Sequence, residues 1–133
     1  MSGRHIKWIH AARRHARRSR FPGYKMAALL VKGGRIISVG LNRTSPGVLK
    51  SEEYVYINHG RGGCQGVHAE LDAILNTCDH EDLRGANLYV AGVGRCGGFI
   101  LSKPCPECQK MLGKYELKSV YYHDKAGQVA ALA

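Results

Sequence analysis

The sequence predicts an α/β fold, a three-layer α-β-α sandwich in one domain spanning residues 1–133. Three observations predict it. Strand-like runs alternate with runs of helical spacing through the middle of the chain, the order that builds layered α/β domains. A length of 133 residues with 44% hydrophobic content is one domain with room for a buried core. The two segments richest in reactive side chains fall at helix starts near strands, where such sheets gather ligands.

The elements follow in order. "HIKWIHAARRHARRS" has helical spacing, with Ile6, Ile9, Ala12 (or Arg13) and Ala16 near one face. Phe21-Pro22-Gly23 ends that helix. "KMAALLVK" and "RIISVGLN" flank Gly33-Gly34, a hairpin signal. Residues 43–66 read as a long, glycine-rich connection, a length that in compact domains usually carries function. Val67–Cys78 is helical by the spacing of Val67, Leu71, Ile74, Leu75 and Cys78. "ANLYVAGV" is strand-like, and Pro104–Gly113 opens a helix with Cys105, Cys108, Met111 and Leu112 facing inward. "KSVYYH", "DKAG" and "QVAALA" read as strand, turn and a weak last strand. Only about ten residues follow His123, too few for a helix and a parallel strand, so an antiparallel hairpin is expected there.

The formal net charge is +10, and Arg4, Lys7, Arg13, Arg14, Arg17, Arg18 and Arg20 put most of it in the first 20 residues, which hold no acid. That block suits a polyanionic partner, including single-stranded nucleic acid, or a solvated helix face. No apolar run reaches the roughly 18 residues of a membrane span and no cleavable leader pattern opens the chain, so a cytoplasmic location is expected. Five cysteines without a repeating framework then point to metal ligands or buried apolar residues, not disulfides.

Chemistry concentrates in "GVHAELDAIL" and "SKPCPECQKML". Cys105 and Cys108, spaced C-x-x-C at a helix start, can turn two sulfurs onto one zinc ion, and the helix start favours the thiolate. His68 offers a third ligand, and three protein ligands leave the fourth tetrahedral position to water. Glu70, two residues on, is placed to carry protons for that water. A closed structural site that adds Cys64 is the alternative. Together, H-x-E and P-C-x-x-C form the zinc nucleobase deaminase pattern.

At these residues the sequence resembles the cytidine/deoxycytidylate deaminase superfamily, from "SVGLN" through "HAE" and "PCPEC" to "VYYHD". The resemblance implies a mixed five-stranded sheet, zinc on His68, Cys105 and Cys108, and Glu70 as the proton shuttle. It implies hydrolysis of a cytosine nucleotide or nucleoside to the uracil product and ammonia, in a homo-oligomer. Asn42 would contact sugar or base, and the backbone around Ala69 would hold the pyrimidine edge. The expected antiparallel ending is similar to that of the free-cytidine branch and some toxin-like deaminases. "SKPC" is similar to the serine-before-Pro-Cys pattern of polynucleotide deaminases, so a single-stranded DNA or RNA substrate is the alternative.

The same resemblance brings the end of the "VYYH" strand to the substrate mouth. Alternation sends Tyr121 and Tyr122 to opposite faces. Tyr122 or His123 is then expected to stack on a base or touch phosphate. Arg43, Arg61 and Arg95, all in loops, are expected to form a phosphate-binding rim. Trp8 reads as a packing or interface residue. Cys78 reads as buried, and Cys64, Cys96 and His59 as candidates for a second zinc. His5, His10 and His15 repeat every five residues and scatter around a helix, so they cannot share an ion.

Overall fold

The computed structural model describes residues 3–21, 23–44, 57–58, 65–77 and 79–132. The chain opens with α1 (Gly3–Ala16), then β1 (Lys25–Lys32) and β2 (Arg35–Leu41). Three short strands follow, β3 (Arg43–Thr44), β4 (Ile57–Asn58) and β5 (Gln65–Val67), and then α2 (Ala69–Leu75). A 3-10 turn (His80–Leu83) leads to β6 (Asn87–Val93), α3 (Pro106–Leu112), β7 (Ser119–His123) and β8 (Val129–Ala131).

The main sheet has the strand order β2-β1-β6-β7-β8. β1 runs antiparallel to β2 and β6, β6 and β7 are parallel, and β7 and β8 are antiparallel. The sheet is therefore mixed and five-stranded, as expected, and it ends in the expected antiparallel hairpin. Gly33 and Gly34 both take positive φ (60° and 75°), the conformation a two-residue hairpin turn with the right twist requires.

Alternation along the central strands builds two cores. Leu29 and Val31 of β1 and Tyr89 and Ala91 of β6 face Ile9 and Ala12 of α1. Ala28, Leu30, Leu88 and Val90 point the other way, onto Leu71 and Ile74 of α2 and Met111 and Leu112 of α3. Helices thus cover both faces, and the three-layer arrangement holds. The fit of α2 is closest at Gly40, where an added Cβ would lie 2.2 Å from the Ala69 carbonyl oxygen and the Ala73 nitrogen. Among the described residues, no helix is long and apolar enough to cross a membrane.

Local differences have simple causes. The 43–66 connection contributes a second small sheet, ordered β3-β5-β4, whose strands of two or three residues are too short to show alternation. Val67 ends β5 instead of starting the helix, and α2 stops at Leu75 with Asn76 as its C-cap. α1 buries Ile9, Ala11, Ala12 and Ala16, while Ile6 is left at 38% exposure.

Candidate active site

Two helix starts bring the reactive side chains together. His68 is the N-cap residue of α2, directly after β5, and Cys105 is the N-cap residue of α3, with Pro106 inside the first turn. Cys108 lies one turn further on and is buried. His68 Nδ1 stands 3.3 Å from Cys108 Sγ and 3.9 Å from Cys105 Sγ. The three donor atoms lie within 4.8 Å of one another, the one group among the described residues able to hold a metal ion. Burial above all, and then the neighbouring Glu70 and Cys105, push the Cys108 thiol far up. A cation at this spot would offset that burial and favour the thiolate, and two sulfurs with an imidazole nitrogen suit zinc.

Beside the cluster opens a cavity of about 300 Å³. His68, Ala69, Glu70 and Cys105 form one side of it; Tyr24, Met26, Asn42, Ile100, Leu101 and Lys103 form the rest. Glu70 is almost fully buried, at 3% exposure. Burial raises its carboxyl above the usual range, outweighing hydrogen bonds from its own amide and from Cys108. Asn42 is also buried and pinned: its Oδ1 accepts from the Met26 amide (2.8 Å) and its Nδ2 donates to the Tyr24 carbonyl (3.2 Å).

Comparison with known proteins agrees with this geometry. Residues 2–124 match the family described as the cytidine and deoxycytidylate deaminase zinc-binding region. The chain belongs to that family. It is 31% identical over 121 residues to the deoxycytidylate deaminase of Mycobacterium phage D29, covering 80% of this chain and 84% of the relative. The fold is shared with a dCMP deaminase from the cyanophage S-TIM5, solved in complex with dCMP and dUMP (TM-score 0.61, 22% identity, covering 93% of this chain and 84% of that one). It is also shared with a cytidine deaminase from Burkholderia pseudomallei (TM-score 0.64, 19% identity, covering 100% and 93%). Zinc is thus the cofactor of the family, and this deaminase chain carries a cluster able to hold it.

The expected rim residues of this deaminase fare less evenly. Arg43 turns aside: its Nε pairs with Asp72 Oδ1 at 2.8 Å and the side chain does not line the cavity. Asp72, a residue not singled out from the sequence, also accepts from the Leu41 amide (2.9 Å), which ties α2 to the end of β2. His123 is fully buried and away from the mouth; its Nε2 accepts from the Gly92 amide (3.0 Å) and its Nδ1 donates to the Asp124 carbonyl (3.0 Å). The reason is alternation, which places His123 with Tyr121 on the α1 face and leaves Tyr122 on the other. Tyr122 is half-buried outside the cavity lining, with Lys103 Nζ 5.9 Å from its ring centre. Tyr121, His5 and Tyr89 form a mutually contacting trio of rings, and Trp8 packs on Tyr89.

Arg95 lines a neighbouring groove, and Cys96 is exposed. Arg61, His59, Cys64 and Cys78 lie outside the described residues. Ser102 of "SKPC" is a buried stitch: its hydroxyl donates to the Val90 carbonyl and accepts from the His123 amide, both at 2.8 Å. It fixes the segment from which Lys103 and Cys105 project. Tyr24, Met26, Ile100, Leu101 and Lys103 escaped the sequence reading as wall residues. Lys103 alone carried a signal, being a cation two residues before Cys105.

Proposed function

We propose that this protein hydrolytically deaminates a cytosine nucleotide of the dCMP type, giving the uracil nucleotide and ammonia. One observation carries the reading: the buried Glu70 lines the same cavity as His68 and Cys105, and Cys108 lies behind them with its Sγ 3.3 Å from His68 Nδ1. These three residues would hold zinc, which when bound supplies a Lewis acid that draws the pKa of water toward about 7. Glu70 would take the proton from the attacking water, place it on the neighbouring ring nitrogen, and carry the second proton to the leaving amine. A carboxyl raised by burial is suited to both halves of that transfer.

The remaining lining would bind and orient. Asn42 spends its oxygen and one N–H on the backbone, so its other N–H is left for sugar or base. The Ala69 backbone would meet the pyrimidine edge, and Tyr24, Met26, Ile100 and Leu101 would exclude water. Lys103 supports a phosphate-bearing substrate over a nucleoside, since it is the cation of the lining. So does the adjoining groove of about 490 Å³, which shares Tyr24 with the cavity and carries Arg17, Lys25 and Arg95. The named activity of the phage relative fits the same substrate.

Ammonia release from zinc-loaded protein tests this, with dCMP, deoxycytidine, CMP, cytidine and a cytosine-containing single strand offered in parallel. Turnover of dCMP is expected, falling by about 10²–10⁴-fold or more in Glu70→Ala. Turnover of the strand alone would replace this reading with the polynucleotide one, and full activity in Glu70→Ala would overturn the mechanism.

A further inference from the structure

A second cavity, of about 300 Å³, lies at the other end of the sheet from the candidate active site. It is bounded by the Gly33-Gly34 turn, the start of β6 and the first turn of α1. Arg4, Lys32 and Lys118 line it, and none of its lining residues is acidic. Among the described residues none of the three cations has an ion-pair partner; the ion pairs there are Arg43–Asp72 and Arg84–Glu116. α1 is 14 residues long and has no acid in its first turn, so the positive pole of its macrodipole adds to the same field. The field extends to the adjacent His5, held below the usual histidine range by burial first and then by Arg4 and Lys118.

The rest of the lining suits a ligand. Tyr89 is a rigid, buried floor held by His5, whose Nδ1 lies 2.7 Å from the Tyr89 hydroxyl. Trp8 forms a half-buried wall. The side chain of Asn87 reaches the Tyr89 hydroxyl at 3.5 Å through Nδ2. Three unpaired cations converging on one concavity repel one another, a cost that an anion removes. A volume near the small end of ligand sites, with several converging cations, fits a compact anion of multiple charge.

We propose that this cavity is a binding site for an oligophosphate, either a free phosphate chain or the phosphate tail of a nucleotide. Arg4, Lys32 and Lys118 contact its oxygens, and Trp8 lies beside it. The site is separate from the deaminase cavity, and its occupancy does not depend on the activity proposed above.

The protein carries its own reporter, because Trp8 is its one tryptophan. Titration of the whole protein with tripolyphosphate and with ATP, followed by tryptophan fluorescence and by calorimetry, is expected to show saturable one-site binding. ATP binding more tightly than tripolyphosphate assigns a nucleotide; equal affinities assign the phosphate chain alone. Lys32→Ala/Lys118→Ala is expected to weaken binding at least tenfold with its circular dichroism unchanged, and Glu70→Ala to bind as the parent does. No saturable heat or fluorescence change with either anion overturns the proposal. So does undiminished affinity in the double variant, or an equal response to sulfate at matched ionic strength.

Discussion

The two faces of the sheet are covered by different means. One carries α1, a single helix of 14 residues whose small buried residues (Ala11, Ala12 and Ala16) let it lie close to the strands. The other carries α2 and α3, of seven residues each, and both begin on a proposed zinc ligand. Neither N-cap, His68 or Cys105, makes a side-chain capping hydrogen bond. The first face is built for packing. The second gives up local helix stability to bring four reactive groups to one point, and relies on the sheet to hold short helices in place.

The largest effect expected from that difference is at Gly40. α2 has no room to retreat from β2 there, since the atoms a Cβ would meet at 2.2 Å are backbone. Gly40→Ala must therefore shift the first turn of α2, carrying His68 and Glu70 with it. A loss of about 3 kcal/mol or more is expected, at the upper end of overpacking costs. Deaminase activity should fall further than the folded fraction measured in urea does. An active, fully stable Gly40→Ala would mean that α2 is not positioned by this contact.

The contrast also explains what could be read from the sequence. The long elements were legible because each buries a regular face: β1 and β6 alternate, and α1 repeats its small apolar residues. His68, Glu70, Cys105 and Cys108 were legible because their spacing is local and their chemistry specific. The walls were not, because Tyr24, Met26 and Leu101 meet them only through the tertiary fold. Arg43 misled for a related reason: a loop arginine has the same sequence signature whether it faces a substrate or an aspartate such as Asp72. His123 could have been grouped with Tyr121, since alternation puts the two on one face, but that this is the α1 face follows only from the fold.

That face carries the next prediction. Burial, the largest effect, holds the His123 imidazole below its usual range, and Arg13 and His10 of α1 add to it. In the unfolded chain the ring titrates near 6.5. As pH falls below that value the unfolded state binds a proton the folded state refuses, so stability falls until the lowered folded value is reached. His5 and His15 on α1 shift in the same direction. The three histidines should therefore lower stability between pH 7.5 and pH 5, by up to about 1.4 kcal/mol per pH unit for each proton taken up. The raised Glu70 carboxyl contributes in the opposite direction, so the His123 share is read from the difference in urea midpoint between variant and parent. His123→Leu should be less stable at pH 7.5, because the Gly92 amide loses its acceptor, yet show a shallower drop. An unchanged pH slope would assign the acid sensitivity to α1 or to the other face.

The smallest effect is the most specific to the site-bearing face. Cys105 has the extended backbone of an N-cap (φ −68°, ψ 164°) but no side-chain bond to the open amides of α3. Serine, with its short hydroxyl, is among the side chains that bond such amides, worth up to about 1 kcal/mol. Cys105→Ser should therefore unfold slightly later than the parent in the presence of a chelator. With zinc in excess the order should reverse, because the parent alone keeps its full ligand set and gains stability from binding. Thermal unfolding of both proteins under both conditions gives four midpoints, and the crossing is the test. If Cys105→Ser is the weaker protein even with chelator, the sulfur contributes packing to α3 that outweighs a cap, and the two faces differ less than their helix starts suggest.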